Sequence, residues 1–396
     1  MTINIKDLLD TINARVASGT ANSTEQVRLN SLDKFSKAYS HAVQYRHIND
    51  FDSATVSNEG IIAFSRDSDA FYVSHRNKWK PIVLGALLDE SRRFQGEDYG
   101  FVSGGLNPGF SSSIERFPFS SFTNALTLGD LTAGKIELAG QSSELRGYST
   151  GGKVSTGAVI SEIEKFEFVN TTNSLLVGDL DFERSKSAGL STNTHAIGFA
   201  AGGDATSQPQ LTQAMRRIYK FPFANETQSS LHGNLYVSGS LIGKSEAIGI
   251  SDFDFGYVAG GINETTSINL TSVDRFSFVA FTSSVYITNL TVANSKAAGN
   301  SSETHGYVSG GFDAFSLKNI ERFSFNSPYS SIDVGDLSTA KRLVSGQSSR
   351  TDGYISGGFS PSISTIESFP FSASPVTITD AGDLVGSRHN TVGHQV

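Results

Sequence analysis

Short runs of alternating apolar and polar residues recur along most of this 396-residue chain, and six of them end in a pair of glycines. The copies are Gly100-Phe101-Val102-Ser103-Gly104-Gly105, Gly147-Tyr148-Ser149-Thr150-Gly151-Gly152, Gly198-Phe199-Ala200-Ala201-Gly202-Gly203, Gly256-Tyr257-Val258-Ala259-Gly260-Gly261, Gly306-Tyr307-Val308-Ser309-Gly310-Gly311 and Gly353-Tyr354-Ile355-Ser356-Gly357-Gly358. Successive pairs are 47, 51, 58, 50 and 47 residues apart. A period of about 40–50 residues, filled with short strands, is the signature of a β-propeller.

A second element follows each glycine pair after a polar loop. It reads Ile114-Glu115-Arg116-Phe117-Pro118-Phe119 in the first copy and Ile320-Glu321-Arg322-Phe323-Ser324-Phe325 in the fifth. Phe-x-Phe sets both rings on one face of a strand, because side chains alternate with period two. Proline between the rings in three copies places this strand toward the outer part of a blade. Next comes a Gly-Asp-Leu element, as in Gly129-Asp130-Leu131 and Gly335-Asp336-Leu337, which is turn chemistry. A fourth element of small residues, such as Ala298-Gly299-Asn300-Ser301, suits an innermost strand where backbones crowd together. Four short strands per repeat make one blade. The fold class is therefore all-β, a six-bladed propeller.

Hydrophobic strand, double glycine, variable loop and acidic-basic-aromatic strand together resemble the kelch repeat over roughly residues 94 to 396. The tryptophan usual after the third kelch strand is missing, and the Gly-Asp-Leu element stands near its place. This variant is also similar to repeats in structural proteins of tailed phages, notably cyanophages.

The phase of the repeat implies how the ring closes. The first copy lacks a small-residue strand before it, and the chain ends in Asn390-Thr391-Val392-Gly393-His394-Gln395-Val396, which matches the missing strand. The C-terminus is expected to supply the innermost strand of the first blade, leaving no open edge to aggregate. The propeller then spans residues 93–396.

Two segments precede it. Residues 1–45 read as helical, with Ile5, Leu8, Leu9 and Ile12 on one face and a second stripe of Val27, Leu32, Phe35, Tyr39 and Val43. That stripe is expected to drive attachment and homo-oligomerisation. Residues 46–92 read as a small β-hairpin module: strands at 60–65 and 70–74, a turn at Arg66-Asp67-Ser68-Asp69, then Trp79. The module is similar to hairpins of phage tail, fibre and collar proteins, which implies a trimer ahead of a dimer.

Composition narrows the chemistry. Zero cysteine excludes disulfides, thiolate metal sites, cysteine nucleophiles and a tyrosine–cysteine copper centre. A net charge of −8 argues against nonspecific nucleic-acid binding. No stretch approaches the roughly 18 apolar residues of a membrane helix, and the N-terminus has no secretory pattern.

No catalytic, cofactor or metal motif emerges. His195 and His305 occupy matching places in two repeats, one ligand per blade, which does not converge on a metal. His41 and His47 fit no common metal spacing. Asp252-Phe253-Asp254 reads as an acidic turn ahead of a calcium loop. Recurrent Glu-Arg pairs, such as Glu115-Arg116 and Glu321-Arg322, are expected to serve as ion pairs between blades. The loops after the double glycines vary most, and variable loops on a rigid scaffold carry recognition. Phe110 and Phe315 within them are the candidate binding residues, able to stack on a sugar or a partner protein, with blade-end cover as the plain alternative.

The resemblance implies a non-enzymatic phage virion protein: a fibre, tail or head appendage displaying the propeller to a host-surface glycan or a neighbouring virion protein. A polysaccharide depolymerase and an intracellular kelch-type interaction module are the alternatives.

Overall fold

The small-residue, Gly-Tyr, Ile-Glu-Arg-Phe and Gly-Asp elements each become a strand, in that order from the propeller axis outward. The computed structural model describes residues 96–395, except 170–171, 193–195, 206–213, 225–227 and 236–242, together with four backbone strands nearer the N-terminus. The chain divides into two compact units, Met1–Arg92 and Arg93–Val396.

In the first unit, Val43–Tyr45 runs parallel to Ile62–Ser65, which pairs antiparallel with Ala70–His75, itself paired with Lys78–Ile82. Val43, placed by the sequence reading on a helical stripe, is thus in a strand. Ile5, Leu8, Leu9, Ile12, Val27, Leu32, Phe35 and Tyr39 lie outside the described residues, as do His41, His47 and the turn at 66–69.

The second unit is a six-bladed propeller of four-stranded antiparallel blades. Blade 2 is typical, with Ala139–Ser142 innermost, then Arg146–Thr150, Glu162–Glu167 and Leu175–Asp179. Blade 1 takes its inner strand from the far end of the chain. Val392–Gln395 pairs with Tyr99–Ser103, in register from Val392 opposite Ser103 to Gln395 opposite Gly100. The closure expected from the repeat phase is the one observed.

One expectation holds in place and one shifts in detail. The Ile-Glu-Arg-Phe strand is the third of four, in the outer half of the blade as expected, and is bonded on both sides. Its prolines are tolerated because each sits at the last strand position; Pro118 lies beyond Arg116, where the outer strand's pairing ends. Gly-Asp ends the outer strand instead of forming a free turn. A register shift opposite Ile114/Glu115 recurs at the matching position of every blade. It adds one outer-strand residue, Leu128 in blade 1, which is buried.

The core lies between blades. The aromatic residue of each second strand packs on the last Phe of the next blade. The pairs are Phe101–Phe168, Tyr148–Phe223, Phe199–Phe278, Tyr257–Phe325, Tyr307–Phe371 and Tyr354–Phe119, at 4.3 to 5.1 Å between centroids. The other Phe of each Phe-x-Phe lies over the first glycine of its own second strand, as Phe117 covers Gly100. A β-carbon there would meet the ring within 2.6 Å in all six blades.

At the axis the blades are joined by stacked rings. One residue per blade takes a left-handed backbone: Glu137, Lys186, Glu246, Lys296, Leu343 and Asn390, with φ from 51° to 59°. Each amide from Lys186 to Asn390 donates to the carbonyl of the preceding member, at 2.7 to 3.1 Å. Below this belt stand Gly140, Gly189, Gly249, Gly299, Gly346 and Gly393, each against the backbone of its neighbour. Below them lies a ring of Ser142, Ser191, Ser251, Ser301, Ser348 and Gln395. Ser348 N donates to Gln395 Oε1 at 2.8 Å, and Gln395 N donates to Ser142 Oγ at 3.1 Å.

Candidate binding face

The repeated charges are committed to holding blades together. Glu115 of blade 1 faces Arg388 at 2.9 Å, contributed by the loop that enters the same blade's inner strand from blade 6. Glu164 meets Lys135, Asp274 meets Lys244 at 2.5 Å, and Glu367 meets Lys341 at 2.7 Å. In blade 3 the acid is replaced by Tyr219, whose ring lies 4.5 Å from the Arg184 guanidinium. In blade 5 the cation is replaced by Asn294, and Glu321 instead accepts from the amides of Thr291 and Val292 at 2.6 and 3.1 Å.

These groups are almost wholly shielded from water. Burial pulls Lys244 below the usual lysine range and pushes Asp274 above the usual aspartate range, each partner's charge opposing it. Burial likewise draws Arg184 down to about 10 against the pull of Tyr219 and Asp181. A buried pair of this kind is costly to break because one charge is left alone. The recurrent acids are therefore inter-blade partners, as the repeat implied. Their cations are not the adjacent arginines: Arg116 stacks over Tyr99 at 4.4 Å instead.

The true partners were missed in the sequence, although a signal for them exists. Lys135, Arg184, Lys341 and Arg388 all stand four residues after the leucine of a Gly-Asp-Leu element. The backbone carbonyl of each also accepts the amide of a second motif glycine, as in Lys135 O with Gly105 N at 2.8 Å. The first motif glycine is left-handed, and a β-carbon on it would come within 2.7 Å of that carbonyl in every blade. The double glycine and the buried cation are thus one device.

What varies lies at the end of the propeller that carries the belt and the double-glycine loops. A shallow pocket of about 100 Å3 opens there at the axis, among Glu137, Lys186, Glu246, Lys296, Leu343 and Asn390. Glu246 stands 3.5 Å from Lys186 and 3.2 Å from Lys296. Burial opposes the charge of Lys186, but Glu137, Glu246 and Asp204 outweigh it and raise its pKa.

Around this mouth each blade contributes a backbone-paired couple at the matching position. In blades 2 to 4 these are Ile136 with Lys153, Ser185 with Asp204, and Ser245 with Ile262. In blades 5, 6 and 1 they are Ser295 with Phe312, Arg342 with Phe359, and His389 with Leu106. Side chains of this second group form a crescent. The Arg342 guanidinium lies 5.0 Å from the Phe312 ring and 4.9 Å from the Phe359 ring. The His389 ring meets Phe359 edge-on at 5.0 Å. Burial first, then the charge of Arg342, lowers the His389 pKa.

The two aromatics singled out in the sequence flank this crescent. Phe315 is 80% exposed, on a hairpin in which Phe312–Asp313 pairs with Phe315–Ser316 around left-handed Ala314. Phe110 is half-buried and pairs with Leu106, which also pairs with His389. The structure places them in blades 5 and 1 without bringing their rings together. Of the other candidates, His195 lies outside the described residues. His305 Nδ1 shares a hydrogen bond with the neighbouring Thr304 hydroxyl, at 2.8 Å. The Asp252 carboxylate accepts from the amides of Asp254 and Phe255 at 2.8 and 2.7 Å, and from the Tyr257 hydroxyl. It caps its own turn. Among the described residues no group of three or more His, Asp or Glu is arranged to hold a metal ion.

The solved structure of YjhT, a kelch-repeat protein, superposes on this chain with a TM-score of 0.55 and 11% identity, covering 72% of this chain and 98% of YjhT. The likeness is one of fold, a kelch-like six-bladed propeller. No protein-family model and no curated protein matches the chain.

Proposed function

We propose that this protein is a non-enzymatic structural component of a tailed-phage virion, a fibre, tail or head appendage. Its propeller presents a rigid recognition face to a host-surface glycan or a partner protein. The observation that supports the recognition role is the crescent of Phe312, Arg342, Phe359 and His389. In a molecule whose six blades repeat their packing residues, these positions break the repeat, and they do so side by side on the loop face. The virion role rests on the likeness of the repeat and of the hairpin module to phage structural proteins. Residues 1–45 are assigned to attachment and to homo-oligomerisation, ahead of the hairpin module of residues 46–92, with a trimer favoured.

Mass spectrometry of purified particles tests the virion role. A stoichiometric ratio to a capsid protein is the expected result, and absence from particles overturns it. Incubation with host polysaccharide tests the non-enzymatic role. New reducing ends that vanish on substitution of one acidic residue would make the protein a depolymerase.

A further inference from the structure

We propose that the crescent across blades 5, 6 and 1 is a docking site for an acidic polypeptide segment of a partner protein, with Arg342 taking a carboxylate and Phe315, on the other face of the adjoining hairpin, taking an apolar side chain. The proposal takes from the preceding reading that the propeller is a binding module, and needs nothing of the virion role.

Charge is the first argument. Lys244, Lys341 and Arg388 each face a carboxylate, Arg184 lies against the Tyr219 ring, and Lys296 at the mouth is matched by Glu246 at 3.2 Å. Arg342 has no carboxylate within ion-pairing distance among the described residues. Its polar contact is a hydrogen bond donated to Ser316 Oγ at 3.0 Å. The nearest acid of the hairpin, Asp313, accepts instead from Asn269 at 3.2 Å. A guanidinium held against two rings loses little freedom on pairing with a carboxylate, to which its planar fork can bind in bidentate fashion. It is an unneutralised cation on a chain of net charge −8.

The rings supply the second argument, which favours polypeptide over sugar. A sugar acid whose carboxylate met Arg342 would need an open ring beside that guanidinium to stack on. Phe312 is already covered by Arg342 and by the Lys296 ammonium at 5.0 Å, and Phe359 by Arg342 and His389. Phe315 is left exposed but on the hairpin face opposite to that of Ser316, so its ring is not open to a sugar held by Arg342, and an apolar side chain of a longer chain segment can pack against it. A cation on one face of the hairpin and an apolar anchor on the other match a chain segment that alternates acidic and aliphatic residues.

The test is fluorescence anisotropy of the full-length protein with a fluorescein-labelled peptide of alternating glutamate and leucine. Saturable binding that weakens with rising salt is expected. Arg342→Gln should weaken it about tenfold or more, and Phe315→Ser several-fold, as for central residues of an interface. A peptide with lysine in place of glutamate should not bind. Thermal melts establish that Arg342→Gln is folded; if it is not, Phe315→Ser, at an exposed tip, decides the matter alone. Unchanged binding by a folded Arg342→Gln, or by Phe315→Ser, overturns the proposal. So does an oligouronate of equal charge that binds as tightly as the peptide, since the site would then read sugar acids. Self-association that is lost in Arg342→Gln would make a second copy of this acidic chain the occupant and would likewise overturn a separate partner. Peptide binding by a chain absent from virions would sustain this site while removing the virion role.

Discussion

The guanidinium of Arg388 stands 2.9 Å from the carboxylate of Glu115, so the end of the chain is locked to its first blade by an ion pair as well as by a strand. Arg388 also donates toward the carbonyl of Ser113 at 3.2 Å. The pair repeats the contact that joins other neighbouring blades, and the point of closure is thereby made equivalent to covalently continuous junctions.

Removing one partner of this pair should cost far more than removing both. Arg388→Ala leaves a buried carboxylate alone and should lower stability by about 3–5 kcal/mol. Arg388→Met combined with Glu115→Leu should recover most of that loss. Urea denaturation of the three proteins checks the order; equal loss in single and double variants would show that the pair carries no specific role.

Deleting residues 389–396 should yield insoluble or unfolded protein, because it removes the inner strand of blade 1 and the belt and ring contacts made by Asn390, Gly393 and Gln395. A soluble deletion that melts cooperatively would contradict the closure argument.

Acid should loosen the same strand. His394 is fully buried, with Nε2 within 3.1 Å of Ser103 Oγ and Nδ1 3.1 Å from the carbonyl of Gln141. Burial lowers its pKa from 6.5 to about 4, against the pull of the Gln141 carbonyl. The folded state thus holds neutral imidazole where the unfolded chain is already protonated. Its stability contribution is complete above about pH 6.5 and declines as pH falls from there toward 4. The full decline is of order 3 kcal/mol. His394→Gln, which copies Gln141 and Gln347 at the equivalent positions of blades 2 and 6, should flatten this part of the profile in melts across pH 4–7. An unchanged slope would assign the acid sensitivity elsewhere.

Two glycines of blade 2 separate backbone strain from crowding. Gly151 and Gly157 both have positive φ, 63° and 88°, but Gly151 abuts the Arg184 carbonyl and Gly157 has nothing within 4 Å. Gly157→Ala should cost about 1–2 kcal/mol for the left-handed backbone. Gly151→Ala adds an overpacking cost of about 1–3 kcal/mol. Equal melting temperatures for the two variants would show that the carbonyl moves aside freely.

The fold was legible because its constraints are local and absolute. A glycine that faces Phe117, or that accommodates the Lys135 carbonyl, has no substitute, so the motif survives in every blade. The buried cations were harder to see. Their spacing from the Gly-Asp-Leu leucine holds in most repeats, but Lys244 follows a longer segment after Leu235, and Asn294 and Tyr219 replace one partner each. Phe315 was recognisable as a loop aromatic. Arg342 was not, because its neighbours Phe312 and Phe359 come from different repeats and meet it only when blades 5 and 6 close on each other. Gly-Asp was read as a turn since nothing in its composition reveals the bulge that turns Leu128 inward.

The belt around the axis divides labour between main chain and side chain. Its amides and carbonyls make five of the joins whatever the residue, while its side chains, Glu137, Lys186, Glu246, Lys296, Leu343 and Asn390, are acidic, basic, apolar and amide in turn, and the ion pairs of Glu246 are confined to blades 3 to 5. A position whose structural duty is discharged by the peptide unit is open to replacement. The mouth of this propeller is therefore a programmable lining: its charge and greasiness can be rewritten, in evolution or by design, over a hoop that stays the same size.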